Sequence, residues 1–267
     1  MNNYYDIWFS RLKISNMVKL NMLEKLKSSE NIWKANKDEL LNYEINEKNI
    51  NTINESKDDK SLEKYISFMF KNEINIICYN EKIYPKILNQ IDNKPVYIYV
   101  RGNINNLYSD NAAIVGSRNA TKYGMDIARK FAKKIADRNV NIVSGLAIGI
   151  DKYAHLGALD SKIGKTIAVL GTGVSDYEVY PYENKKIFER ILKEGGTIVS
   201  EFCLGTKPEK YNFPLRNRII SGLSKKIIVV EANLKSGSLI TANYGLEQGK
   251  DIYAVPRKYK FKSVSRY

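Results

Sequence analysis

Between Thr206 and Lys226 the chain reads TKPEKYNFPLRNRIISGLSKK. Lys207, Lys210, Arg216 and Arg218 surround two aromatic residues there, Tyr211 and Phe213, and ahead of the arginines only Glu209 opposes them. Cations that track phosphates, interleaved with rings on which bases stack, are what single-stranded nucleic acid requires; each stacked base contributes about 1–3 kcal/mol. The same pattern fits a surface helix with Phe213 tucked into the core and the arginines solvated. Residue types alone do not separate the two.

A second set of candidates lies at the ends of short apolar runs. Gly116-Ser117-Arg118, Ser144-Gly145, Gly171-Thr172-Gly173, Ser200-Glu201 and Glu231-Ala232 each close such a run with small or polar residues. KSGSLITA (235–242) repeats the device, with Gly237 and Ser238 opening a helix and Thr241 one turn on. Small residues let backbone approach a ligand, and helix N-termini offer N–H donors to phosphate. Together these pieces predict a phosphate-accepting rim with Arg118 at its edge. Neither G-x-G-x-x-G nor G-x-x-x-x-G-K-[ST] is present, so neither a dinucleotide site nor P-loop hydrolysis is supported. His155 follows Asp151 by one helical turn, the spacing of a base oriented by a carboxylate. No nucleophile accompanies them, and such a pair is more often a structural contact. Cys203 reads as a small core residue.

The elements that carry these loops are legible in the spacing. Apolar, β-branched runs recur at 74–79, 96–100, 112–116, 140–145, 166–171, 196–201, 226–232 and 251–256. Helical patterning separates most of them, as from Tyr123 to Arg138 and from Glu183 to Lys193. Continuous apolar runs mean strands buried on both faces. Strand–helix alternation predicts an α/β fold, a Rossmann-like, doubly wound, mostly parallel sheet. In such sheets ligands bind beyond the carboxyl ends of the strands, where the small-residue loops fall.

Residues 1–72 are different. No glycine precedes Gly102 and no proline precedes Pro85, so this stretch reads as a small all-helical domain. Leu62, Tyr65, Ile66 and Met69 mark one helix face with Ser61 as its N-cap, and Leu20, Leu23 and Leu26 mark another. Residues 46–61 read as a polar, mobile connection. The expected division is 1–72 helical, 73–256 Rossmann-like and DNA-binding, and 257–267 a basic tail.

Charge separates the same regions. Residues 1–75 hold twelve basic and twelve acidic residues, whereas 76–267 hold 31 and 17, which is the whole net charge of +14. That asymmetry predicts a polyanion partner for the second region, nucleic acid before membrane. One histidine and two distant cysteines exclude a multi-His metal site, a cysteine-rich zinc module and a disulfide framework. No apolar run reaches membrane-spanning length and no signal peptide opens the chain, so a cytoplasmic, soluble protein is expected.

VGSRNATKYG (115–124), IVSGLAIGIDKYAH (142–155), TIAVLGTGVSDYEVYP (166–181), IVSEFCLGTKP (198–208), FPLRNRIISGLS (213–224) and VVEANLKSGSLITA (229–242) resemble, in order and spacing, the motif series of the DNA-processing protein A (DprA/Smf) family. The resemblance covers about residues 80–256. It implies a single-stranded DNA-binding protein rather than an enzyme, with no cofactor, serving DNA uptake and recombination. Such a protein shields single strands from nucleases and helps load a RecA-type recombinase. Carried over, the binding residues are Ser117, Arg118, Lys210, Phe213, Arg216, Asn217 and Arg218, with Ser236, Gly237 and Thr241 contributing less directly; Lys207 joins them from the residue pattern of the 207–218 cluster. The resemblance favours stacking for Phe213 and a structural role for His155. After residue 256 the chain departs from the family, which continues into closing helices that commonly seat dimer and recombinase contacts. Here RKYKFKSVSRY follows instead, so the expectation is a weakened homodimer and a disordered basic arm. The rival is a nucleotide-processing enzyme or nucleotide sensor on a related fold; the Pro-Gly-Gly loop of related phosphoribohydrolases is missing.

Overall fold

The structure, a computed structural model, describes residues 3–57, 60–233 and 236–256. Short helices open the chain: α1 (Tyr4–Arg11), α2 (Asn16–Leu26), α3 (Ser29–Lys34), α4 (Lys37–Asn42), α5 (Glu47–Ser56) and α6 (Leu62–Lys71). Helices this short depend on their ends. The side chains of Ser15, Ser28, Asn36 and Asn46 accept the N–H groups of Val18, Asn31, Glu39 and Asn49, satisfying donors that no helical turn could reach. Tertiary packing completes them, with Trp8, Phe9, Ile32, Leu40, Leu62 and Met69 fully enclosed.

Two expectations for this region fail. Residues 46–61 are not a loose connection, because α5 occupies most of them. Ile50 and Ile53, one turn apart, are both fully buried and supply the apolar stripe that a polar composition hid. Ser61 does not cap α6; it has helical dihedrals and makes no capping bond. Leu62 and Met69 do face the core, with Tyr65 and Ile66 packed against it.

Eight strands follow, all within or beside the expected runs: β1 (Ile74–Cys78), β2 (Tyr97–Gly102), β3 (Asn111–Gly116), β4 (Asn141–Ser144), β5 (Thr166–Val169), β6 (Thr197–Ser200), β7 (Lys226–Val230) and β8 (Asp251–Ala254). Between them lie α7 (Lys86–Asn89), α8 (Lys122–Ala136), α9 (Ile150–Leu159), α10 (Lys185–Lys193), α11 (Asn212–Gly222) and α12 (Gly237–Glu247). The strand order is β1-β2-β6-β5-β4-β3-β7-β8. All neighbours from β6 to β8 are parallel, and β1–β2 and β2–β6 are antiparallel.

Alternate residues of each strand feed opposite faces. One face packs Val115, Val143, Val169 and Val199 against Leu88 of α7, Ile219 and Ile220 of α11 and Ala242 of α12. On the other, Ile114 and Ile142 meet the alanines of α8 and α9. Along that second face the core runs from Ile198 and Phe188 through Tyr97 and Tyr99 into α1–α6 without a break. Both faces of the sheet are thus covered from β1 to β7, as continuous apolar runs require, whereas the edge strand β8 does not meet that expectation and is largely exposed, Tyr253 at 48%.

From β3 the chain winds through β4, β5 and β6 to one side, whereas β7 lies on the other side of β3. The carboxyl ends of β3 and β7 therefore flank a topological switch point, where an open α/β sheet leaves a crevice. No helix among the described residues is long and apolar enough to cross a membrane. The tail expected at 257–267 lies outside the described residues, as does Lys235.

Candidate nucleic-acid interface

At the switch point the loop after β3 is fixed from both sides. Ser117 donates its N–H to the Glu231 carbonyl at 2.7 Å, and its own carbonyl accepts the N–H of Ile150 at 3.1 Å. The Ser117 hydroxyl accepts from Asn119 N–H at 3.1 Å, and the Glu231 carboxylate takes the N–H of Thr121 at 2.8 Å and its hydroxyl. Arg118 projects from this anchored turn, exposed, and makes no ion pair among the described residues. Its guanidinium carbon sits 5.6 Å from the centre of the Phe213 ring, within cation–π range.

Phe213 comes from the first turn of α11 and is half-buried. Tyr180 stands beside it, ring centres 5.6 Å apart and tilted by 37°. Gly171, two residues past the end of β5, lies directly behind; a Cβ there would lie 2.9 Å from the Phe213 ring and push it aside. Arg118, Gly145, Ile148, Tyr180, Pro181, Phe213 and Arg216 line one cleft of about 70 Å³.

Arg216 forms the floor. One of its terminal nitrogens donates to the carbonyls of Gly145, at 2.7 Å, and Val169, and its Nε donates to Asn217 Oδ1 at 3.2 Å. A Cβ on Gly145 would fall 2.4 Å from that guanidinium, which fixes glycine at the position. Burial draws Arg216 down to about 10, with Asp151 opposing the shift and Arg118 adding to it. It therefore stays charged at neutral pH. Two cations thus repel each other across one cleft, which lowers the cost of an anion entering between them. Burial pushes the Asp151 carboxyl up, while Arg216 and the Gly145 N–H, at 3.0 Å, hold it down.

The structure separates Arg218 from this group. Although two residues from Arg216, it turns away from the cleft into a bidentate pair with Glu201, both contacts 2.6 Å, and donates to the carbonyls of Asn93 and Leu215. The expected alternative of a helix with solvated arginines is not what forms, since both arginines are enclosed. Asn217 is also buried and donates to the Gly237 carbonyl at 3.1 Å, tying α11 to the start of α12. Ser236 caps α12, accepting from Ser238 N–H, and Gly237 is exposed with open space beside it. Thr241 is 1% exposed and packs inside. Lys207 and Lys210 lie on the exposed loop leading into α11.

His155 and Asp151 do not form the facing pair that their spacing allows. The His155 ring shares a 2.7 Å bond with the Thr166 hydroxyl through Nδ1 and accepts Leu146 N–H at 3.2 Å through Nε2. Burial first, then the nearby Arg216, lowers it to about 3. A neutral, enclosed ring of this kind holds the Leu146 loop under the cleft.

Sequence reasoning missed a polar seam between the β6–α11 connection and the helical segment. Leu204 N–H donates to the Tyr65 hydroxyl at 2.9 Å, which reaches the Tyr99 hydroxyl at 3.2 Å, and that in turn meets Ser10 at 2.5 Å. Lys19 Nζ donates to the Ser10 carbonyl at 2.6 Å, and burial lowers this lysine to about 8 against the pull of Cys203 and Glu201. The alternating tyrosines of VYIYV (96–100) were its one visible signal, since both point into the helical segment. A wider concavity of about 460 Å³ lies among α2, α3 and α4. Its lysines are held by their neighbours, Lys25 by Glu44 and Lys34 by Glu30, and it is remote from the switch point.

Residues 75–265 match the family model for DNA recombination-mediator protein A. The chain is 43% identical to protein Smf of Escherichia coli over 197 residues, 74% of this chain and 52% of that protein. It is 42% identical to DNA processing protein DprA of Bacillus subtilis over 184 residues, 68% of this chain and 61% of that one. The chain thus spans about half to two thirds the length of these curated relatives. Among solved structures, DNA processing protein A of Streptococcus pneumoniae superposes with a TM-score of 0.82 at 32% identity, over 98% of this chain and 89% of that one. A structure describing the single-stranded DNA binding mode of DNA processing protein A from Helicobacter pylori gives 0.63 at 28%, over 70% and 83%.

Proposed function

We propose, from the premise that this chain belongs to the DNA recombination-mediator protein A family, that it binds single-stranded DNA across the cleft at the carboxyl ends of β3, β4 and β5, beside the β3–β7 switch point. One observation carries the reading: an exposed, unpaired Arg118 leans over a half-buried Phe213, with a second, buried cation beneath. Arg118, Lys207 and Lys210 hold phosphates. Phe213 takes a base on its open face. Arg216 adds charge from the floor, and Ser117, Asn217, Ser236 and Gly237 fix or offer backbone around it. Arg218 and Thr241 act by positioning α11 and α12. The helical unit ends near residue 72, and residues 73–256 form the binding unit. The protein works in the cytoplasm as a binding protein rather than an enzyme, shielding single strands and passing them to a RecA-type recombinase, as a homodimer. The enclosure of His155 supports the non-enzymatic reading, and so does the cleft's size. Small-molecule sites usually occupy about 300–1,000 Å³. A cleft of about 70 Å³ suits a base lying on a surface rather than a nucleotide swallowed whole.

The test is fluorescence anisotropy with labelled oligothymidylate against a mononucleotide competitor. Three exposed cations predict a log–log salt slope of about −2, at about −0.7 per phosphate. A mononucleotide that competes as well as the long strand would overturn the proposal, as would a slope near zero.

A further inference from the structure

Three tyrosines stand out of the surface within six residues: Tyr177 at 87% exposed, Tyr180 at 47% and Tyr182 at 73%. Large exposed rings on a mobile loop carry little meaning, but this loop is fixed. Glu178 turns inward to accept the Ser175 N–H at 3.1 Å and hydroxyl at 2.5 Å, and it clasps Gly205 N–H. Asp176 is paired with Arg101 at 2.9 Å. The tyrosines are thus displayed on a rigid support, and ordering them on a ligand loses little entropy. They are also continuous with the cleft, since Tyr180 and Pro181 line it and the Tyr180 ring neighbours Phe213. Beyond Tyr180, the Lys185 ammonium lies 5.6 Å over the Tyr182 ring, and Lys186 is exposed next to it. Glu183 is the one exposed carboxylate between Tyr177 and Lys186, and Glu189 is exposed one turn beyond Lys185.

Rings alternating with cations on a fixed surface are a platform for successive bases and phosphates. We infer that the bound strand leaves the cleft over Tyr180 and runs along Tyr177, Tyr182 and Lys185, which together form an extension of the binding site. This rests on the proposed function and adds a direction to it. The cleft takes the first nucleotides, and the tyrosine loop takes those that follow. A protein surface would be the other use for exposed tyrosines; the lysine over Tyr182 and the shared wall with the cleft favour nucleic acid.

The experiment uses the full chain and a triple variant, Tyr177→Ala, Tyr182→Ala, Lys185→Ala, with oligothymidylates of about 6 and about 20 nucleotides. The side chains removed are on the surface, and an unchanged melting temperature checks the fold. The variant should lose at least about tenfold in affinity for the longer strand and stay within about twofold on the shorter. Strands carrying 5-iodouracil should cross-link to Tyr177 or Tyr182 in the unaltered chain. Unchanged affinity for the longer strand overturns the inference and leaves the cleft proposal standing; so does an equal loss on both lengths, or cross-links that map elsewhere. Failure of the unaltered chain to bind either length overturns the cleft proposal itself, and the extension falls with it.

Discussion

In the cleft, Arg118 is exposed, lacks an ion-pair partner among the described residues and rests over an aromatic ring. On the opposite side of α11, Arg218 is 2% exposed and held by Glu201 and two carbonyls, and through Glu201, which also acts on Lys19, it belongs to the seam. Both regions are made of arginines, aromatics and loop carbonyls, and they use them in opposite ways. The seam spends its charge on holding the β6–α11 connection against the sheet and the helical segment. The cleft keeps charge unspent at the switch point. Arg216 stands between the two uses, bonded to Gly145 and Val169 yet still lining the cleft. Position on the helix decides which is which. Residues two apart lie about 200° apart around an α-helix, so the two arginines of RNR face opposite sides.

The largest effect should come from the seam. Arg218→Ala leaves Glu201 buried without its partner, and breaking a buried pair from one side costs about 3–5 kcal/mol. Arg118→Ala should change stability by less than about 0.5 kcal/mol. Urea titrations of both variants measure this, and a double variant, Arg218→Met with Glu201→Gln, should recover much of the loss. Equal stability of the two single variants would erase the distinction between the regions.

Next in size is the acid response of the layer under the cleft. The folded His155 stays neutral down to about pH 3, whereas an unfolded histidine gains its proton near 6.5. The unfolded state then binds more protons, so stability is complete above about pH 6.5 and declines below it. The slope approaches 1.4 kcal/mol per pH unit, or about 2 kcal/mol by pH 5 from this group. Because the chain has one histidine, its ring protons can be followed directly by NMR. They should show no titration between pH 7 and 5; a midpoint near 6.5 would mean that the ring is open to water.

Arg118 carries the third effect. Arg118→Ala should weaken single-strand binding about tenfold, near 1.4 kcal/mol, with the melting temperature unchanged. Arg118→Lys should restore only part, because a planar guanidinium stacks on Phe213 in a way an ammonium does not. Full recovery by lysine would reduce the contact to bare charge.

These contrasts also mark how far the sequence could be read. The eight strands were legible because each is a short, mostly apolar run, and the rim followed from the small residues that close β3 to β6. Helix α5 was not legible, since Ile50 and Ile53 are its whole buried stripe within a polar decapeptide. The candidate cluster at 207–218 was found as a unit, but its division into cleft and seam was hidden. That division depends on Glu201, seventeen residues before Arg218, whose role appears only when β6 places it beside α11. Tyr65 is similar. Its place on a helix face was readable, whereas its bond to Leu204 spans 139 residues of chain.

The smallest effect separates the regions most cleanly, because it counts charges without regard to affinity. Each cation that neutralises a phosphate contributes about −0.7 to the log–log salt slope for a single strand. Lys207→Ala and Lys210→Ala should each lower the magnitude by that amount, with modest losses of affinity, because both residues are exposed on the loop that leads into α11. The Arg218→Met, Glu201→Gln pair should leave the slope unchanged even if affinity falls, since neither group meets phosphate and their charges already cancel. Arg216 stays charged on the cleft floor but is already bonded to the Gly145 and Val169 carbonyls. Its contribution should therefore fall below a full unit of 0.7. Anisotropy titrations at four salt concentrations suffice to read these slopes. A slope change on removing the Arg218–Glu201 pair, equal to that of Lys207→Ala, would place the seam on the DNA and undo the assignment of the two arginines to different tasks.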